Sequence, residues 1–260
     1  MKAKIKKYLE ETMVFVEGGE FLMGSNKYDS EKPIHKVELS SFEICKYPVT
    51  QELYEWVTGE NPSHFKGKQR PVEQVDWYDA VEFCNVLSEK LGLEVYYRIN
   101  KEKKDQNNPN EFEQKKWLVE INGNSKGYRL PSEAEWEFSS KGGTKLNDKF
   151  KFSGGNKLNE LGWYSNNSHN ETKEVGLKKP NKLGLYDMSG NIWEWCWDWY
   201  DEDYYYSPQT NPLGSVIGSS RIIRGGAWGD GVNSCRVTYR GEYVPMVQFF
   251  DQGFRLSRTV

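Results

Sequence analysis

Four tryptophans occupy every second position in the run Trp193-Glu194-Trp195-Cys196-Trp197-Asp198-Trp199. An extended backbone sends alternate side chains to opposite faces. Period-2 spacing therefore puts all four indoles on one face and Glu194, Cys196 and Asp198 on the other. A helix would scatter the rings around its axis. Large aromatics dominate whatever core they enter. The run predicts a core strand with one heavily buried aromatic face and a second face that carries two carboxylates.

The rest of the chain has to enclose that strand. At 260 residues it could form one large domain or two small ones. Its hydrophobic fraction is 37%, with 15% aromatics and 24 glycines. That is below the usual ~45–50% apolar content, and it suits an aromatic core wrapped in irregular loops. The net charge is −3, and the one basic tract is Lys2-Ala3-Lys4-Ile5-Lys6-Lys7. Nucleic-acid binding through a basic face is thereby disfavoured. No run approaches the ~18 apolar residues of a membrane-spanning helix. The basic start is not followed by the apolar stretch of a signal peptide. The chain reads either as cytoplasmic or as an exported protein whose leader lies outside this sequence. Cys45, Cys84, Cys196 and Cys235 show no CxxC spacing, so a zinc or thioredoxin-type site is not indicated, and disulfides stay open.

Local signals place further elements. Residues 1–12 are polar and read as an N-terminal extension, helical or frayed. Residues 13–16 and 35–44 read as strands. Thr50 can cap a short helix that stops near Gly59. The clearest helix runs from about 77 to 91, with Asp76 as N-cap and Gly92 as left-handed stop. Its apolar stripe is Ala80, Phe83, Cys84, Leu87 and Leu91. Residues 94–128 form a hairpin insertion around a charged, Asn-rich loop, 100–116, read as mobile. A second helix starts at Ser132, whose capping box closes with Glu135. Residues 142–186 are mostly loop. The sum is an α+β fold with two main helices and dispersed short antiparallel strands.

Several longer words carry a family resemblance. Asn181-Lys182-Leu183-Gly184-Leu185-Tyr186-Asp187-Met188-Ser189-Gly190-Asn191-Ile192-Trp193-Glu194-Trp195 resembles the signature of the formylglycine-generating-enzyme, or sulfatase-modifying-factor, domain family. Gly18-Gly19-Glu20-Phe21, Arg129-Leu130-Pro131-Ser132-Glu133-Ala134-Glu135-Trp136, Arg224-Gly225-Gly226-Ala227-Trp228 and Gly253-Phe254-Arg255-Leu256 follow in family order. The resemblance implies one C-type-lectin-like domain over 13–260. In that fold the terminal strands pair, so 13–16 should lie beside 254–256. Arg236 and Arg240 match framework arginines.

The resemblance also frames the candidate sites. Calcium-binding members suggest a structural calcium held by Asp187 and Glu194 with the carbonyls of Met188, Gly190 and Ile192. The alternative is a turn in which Asp187 and Asn191 bond backbone groups locally. Catalytic members carry two cysteines four residues apart, downstream of the Gly-Gly that matches Gly225-Gly226, and use copper and oxygen on a sulfatase cysteine. Here the stretch holds Cys235 alone, and Asp230 stands nearest the missing partner. A lone thiol cannot make the paired thiolate set that copper(I) prefers. Three scattered histidines do not support the iron-binding relatives. The expectation is a protein that is not an enzyme and requires no cofactor.

Residues 227–252 obey no period and mix aromatics with small flexible residues, a composition shared with antibody paratopes. This pattern before Gly-Phe-Arg-Leu resembles variable proteins of diversity-generating retroelements, in particular treponemal ones, which are outer-surface lipoproteins. In those systems, adenine replacement in Asn codons rewrites chosen positions. Gly229, Asp230, Gly231, Asn233, Ser234, Tyr239, Gly241, Tyr243, Val244, Val247, Phe249, Phe250 and Asp251 all fit such codons. They form the expected ligand-binding set, against the plainer reading of an ordinary family loop. The expected partner is a protein or other macromolecule, with no nucleic acid. The resemblance implies the cell surface, with a lipid anchor outside this chain as the membrane link. Phe249 and Phe250 are adjacent, so at least one should face solvent. Trp228 and Phe254 are expected to fill the core beside them.

Overall fold

The computed structural model describes residues 1–145, 150–202 and 209–260. Its helices are α1 (Lys2–Thr12), α2 (Gln51–Thr58), α3 (Trp77–Leu91), α4 (Glu133–Lys141) and α5 (Leu158–Leu161). One sheet has the order β1 (Met13–Val16), β4 (Phe42–Cys45), β13 (Ser257–Thr259), β7 (Tyr128–Arg129). A second has the order β11 (Gly241–Tyr243), β10 (Arg221–Arg224), β8 (Trp193–Trp199), β12 (Gln252–Phe254). The third pairs β2 (Gly19–Met23), β3 (His35–Leu39) and β9 (Gln209–Thr210), and β5 (Tyr97–Lys104) forms a hairpin with β6 (Trp117–Ile121).

The tryptophan run is the central strand β8, antiparallel to β10 and parallel to β12. Trp193 and Trp195 face a core that contains Trp77, Phe83 and Phe254. Cys196, on the opposite face, enters a second core with Trp136, Met188 and Ile222. Both faces are therefore interior. Trp197 is only half-buried, stacked on Tyr97 at 5.1 Å between ring centroids. Two indoles spend their polar N–H on carbonyls: Trp77 donates to Cys196 O and Trp195 to Val75 O, each at 3.0 Å. That is how large polar-tipped rings can be buried at no hydrogen-bond loss.

Helix α3 starts and stops as its sequence requires. Asp76 accepts from the Asp79 amide, Asp79 accepts in return from the Asp76 amide, and Gly92 caps in the left-handed region. Helix α4 follows the same rule at Ser132 and Glu135. Its burial is less expected, because Glu133 and Glu137 are each 1% exposed. Charges this deep persist only when paired, and each glutamate of α4 has an arginine: Glu133 with Arg240, Glu135 with Arg129, Glu137 with Arg224.

The structure corrects several sequence expectations. Residues 1–12 are not an appendage: Ile5 and Leu9 of α1 are buried in the main core. Strand β1 does not pair with 254–256. It pairs with β4, which in turn pairs with β13, so the two chain ends share a sheet with one strand between them. The segment 35–44 is two strands, β3 and β4, broken at Ser40-Ser41. The 94–128 hairpin exists, but its 100–116 loop is tied down. Strand β5 continues to Lys104, and Glu113 accepts from the Tyr78 hydroxyl at 2.8 Å and from Asn108 at 2.6 Å.

Candidate functional site

The segment after β10 leaves the sheet at Gly225 and Gly226, whose φ values of +99° and +73° suit residues without a Cβ. From there to β12 it is held in two ways. The first is a set of buried arginine–glutamate pairs. Arg224 binds Glu137 and the carbonyls of Val237 and Tyr239. Arg236 grips both oxygens of Glu31, and Arg240 both oxygens of Glu133. Arg255, just beyond, grips Glu194 with two contacts of 2.6 Å. Such forked pairs fix orientation as well as charge.

The second restraint is backbone to backbone. The Trp228 amide donates to Asn191 O at 3.0 Å, and Ser165 donates to Asp230 O at 3.0 Å. Trp77 donates to Pro245 O at 2.9 Å, Gln74 to Phe249 O at 3.0 Å and Trp193 to Asp251 O at 2.8 Å. The main chain is thus anchored every few residues, and many side chains are left to project.

Those projections include the exposed aromatics. Tyr243 is 40% exposed, Phe249 41% and Phe250 46%. Both phenylalanines therefore meet solvent, and the fully buried ring is Phe254. Trp228 is not a core residue as expected. It is half-buried and stacks on Phe250 at 5.9 Å, donating its N–H to Phe250 O at 3.1 Å. Phe65 meets both rings edge-on, at 5.5 and 6.3 Å, and the His64 ring lies 5.9 Å from Phe250. Tyr243 packs edge-on to Phe249 at 5.3 Å. His64 and Phe65 were missed from sequence. The available signal was a ring pair in an otherwise polar loop, Asn61-Pro62-Ser63-His64-Phe65-Lys66-Gly67.

The other expected positions divide. Gly229 and Gly231 are exposed, and a Cβ on either would meet nothing within 4 Å. Gly241 differs, because a Cβ there would lie 2.9 Å from Ile223 and 3.1 Å from Trp193, so close packing on those two side chains calls for a glycine. Asn233 is exposed but turns toward Lys27, which donates to its side-chain oxygen at 3.2 Å. Tyr239, also half-buried, lies between the Trp193 and Tyr28 rings. Ser234, Val244 and Val247 are half-buried. Asp230 accepts from the Ala227 amide at 2.8 Å, and burial raises its carboxyl. Burial, reinforced by the Asp230 charge, pushes Asp251 up to about 6.

The calcium set is not assembled as expected. Both oxygens of Glu194 are engaged by Arg255, and Trp136 adds its indole N–H at 2.7 Å. The Gly190 carbonyl accepts from the Ile192 amide. Asp187 accepts from the Gly176 amide at 2.8 Å, and burial pushes it up to about 6. Asn191 exchanges hydrogen bonds with Lys173. These residues lock the 173–176 loop, so the backbone groups they bond are 11 and 18 residues away and not local as the turn alternative expected. Met188 packs in the second core. Among the described residues, no group of three or more His, Cys, Asp or Glu could hold a metal.

All four cysteines are free and buried. Cys235 is fully enclosed, and burial pushes its thiol up to about 12. A thiol that stays protonated is not a ready nucleophile.

Short antiparallel strands, chain ends in one sheet and a long anchored loop over the central strand define a C-type-lectin-like domain with an aromatic surface on that loop. The chain belongs to the sulfatase-modifying factor enzyme 1-like domain family, whose model matches residues 2–260. It is 41% identical over 268 residues to the chaperone protein LppX of Paenibacillus barcinonensis, covering 96% of this chain and 90% of that one. The solved structure of Treponema denticola variable protein 1 superposes with a TM-score of 0.85 at 40% identity, over 95% of each chain. The formylglycine-generating enzyme of Thermomonospora curvata is more distant, 28% identical over 281 residues, covering 89% of this chain and 85% of the enzyme.

Proposed function

We propose that this chain is a non-enzymatic recognition protein that displays side chains of the 227–252 segment on a rigid scaffold. The observation that carries the reading is the exposed aromatic group, Tyr243, Phe249 and Phe250, on a backbone anchored by buried arginine–glutamate pairs. Exposed contiguous rings cost solubility and mark interaction surfaces. Tyr and Phe bring large contact area with few rotors, which is why they serve as binding anchors. Likeness to a variable protein supports the same reading, and with it display at the cell surface and codon-level diversification. Among the described residues, no helix is long and apolar enough to cross a membrane. The partner is a protein or other macromolecule. Any calcium would be structural and bound elsewhere than at Glu194.

The test is affinity lost without stability lost. A peptide ligand selected on the wild-type protein should bind the Tyr243→Ala/Phe249→Ala/Phe250→Ala variant at least ~30-fold more weakly, the scale of a binding hot spot. Unchanged affinity for every selected ligand would place recognition elsewhere. The second reading, oxidation of a sulfatase cysteine to formylglycine, draws on family membership. It is checked by incubating the protein with a sulfatase peptide, copper and oxygen, and looking for aldehyde by mass. Catalytic aldehyde formation would displace the recognition reading.

A further inference from the structure

The display segment is asymmetric in charge. Between Arg224 and Arg255 the sequence holds two basic residues, Arg236 and Arg240, and three acidic ones, Asp230, Glu242 and Asp251. Both arginines are spent internally on Glu31 and Glu133 and are almost fully buried. Toward solvent stand Glu242, Tyr243, Phe249 and Phe250, with Asp230 and Asp251 half-buried. Asp251 follows Phe250 directly in sequence, and Asp230, two residues from Trp228, accepts from the Ala227 amide, so each of the two stacked rings has an aspartate one or two residues away along the chain. The neighbouring charge acting on Asp251 is Asp230, and the charges acting on the Tyr243 hydroxyl are these same two aspartates. Three described lysines around the segment have contacts of their own. Lys115 bridges Asp76 and Asp79, Lys66 donates to Asn61 O, and Lys27 sits at the Asn233 end.

We propose that the Trp228–Phe250 platform with Asp230 and Asp251 recognises an arginine side chain on a polypeptide partner. This rests on the recognition reading above and specifies its ligand. The chemistry is complementary on both counts. A guanidinium is planar and weakly hydrated, so it stacks on an aromatic face, where the ring quadrupole attracts it. The same group donates in a fork that suits carboxylate oxygens. The Asp230 charge acts on Asp251, and a guanidinium bound over the rings would offset both charges. An acidic or neutral apolar partner would desolvate the Asp251 carboxylate without pairing it, which costs affinity. The surface thus discriminates by charge as well as by shape.

The experiment pans a random peptide library on phage against the wild-type protein and, in parallel, against Tyr243→Ala/Phe250→Ala. Peptides that bind the first and not the second should be enriched in arginine. In the strongest of them, replacing that arginine by citrulline, a neutral near-isostere, should weaken binding about tenfold. Asp251→Asn and Asp230→Asn should each reproduce part of the loss, and in Asp251→Asn the citrulline penalty should shrink. Patch-dependent peptides without basic residues, or with no citrulline penalty, overturn the arginine proposal and leave the recognition reading standing. If no peptide depends on the patch, both fall.

Discussion

Arg240 and Glu133 stand 107 residues apart in sequence and meet in a forked ion pair, with Nε to Oε1 at 2.7 Å and Nη2 to Oε2 at 2.9 Å. Each side chain is 1% exposed. The pair joins the display segment to α4, so the segment's register is set by the scaffold. Removing Arg240 leaves Glu133 with the Arg224 Nε at 3.7 Å in place of a forked pair, and losing one partner of a buried pair costs about 3–5 kcal/mol. Arg240→Met should therefore destabilise by that amount in urea unfolding. The double change Arg240→Met/Glu133→Gln should recover part of it, since the stranded charge is gone. A single variant as stable as wild type would remove this pair from the anchoring account.

Gly229 and Gly231 should accept large side chains. Gly229→Tyr and Gly231→Tyr each meet open space and should change stability by no more than about 0.5 kcal/mol, the range of ordinary surface substitutions. Gly241→Val should lose about 1–3 kcal/mol by overpacking against Ile223 and Trp193. Thermal or urea unfolding of the three variants separates display positions from packing positions. Equal losses at all three would deny the distinction.

Glu194 is predicted to act as the counter-charge of Arg255 and not as a calcium ligand. Glu194→Gln should cost about 3–5 kcal/mol by stranding the guanidinium. The loss should be the same with excess calcium and with chelator. A loss that vanishes in chelator would restore the metal reading.

Asp198 supplies a pH dependence. Burial first, then the Glu133 charge, pushes its carboxyl from 3.8 up to about 8. The folded state therefore holds the proton more tightly than the unfolded state. The associated stability is full at low pH and is lost as pH rises from about 4 to about 8. Asp198→Asn cannot ionise and does not lose it. The stability of Asp198→Asn relative to wild type should rise between about pH 4 and about pH 8 in urea unfolding. A flat or falling difference would mean that the folded protein compensates the Asp198 charge.

The local grammar of the fold was legible. Period-2 tryptophans gave β8, and the Asp76 and Ser132 caps gave α3 and α4, because both rest on neighbours within one turn or one pleat. The pairing of Arg236 with Glu31 spans 205 residues, and that of Arg255 with Glu194 spans 61. Nothing in either local sequence names the partner. The same distance hid Phe65 from Trp228 and let Glu194 pass for a metal ligand, since an acidic residue beside a turn reads alike whether calcium or an arginine completes it. Trp228 was misplaced in the core because a ring's size predicts burial, whereas its stacking on Phe250 depends on loops meeting in space. The period-free 227–252 segment was readable as irregular chain, but only the geometry separates the open Gly229 and Gly231 from the packed Gly241.

The central claim is that Phe249 and Phe250 serve recognition and not stability. Its most direct measurement is urea unfolding of Phe249→Ala and Phe250→Ala, made separately. Truncating a core phenylalanine costs about 3–5 kcal/mol. With the two rings 41% and 46% exposed, each variant should instead lose no more than about 1 kcal/mol. Losses of several kcal/mol in both variants would make the pair core residues and contradict the account.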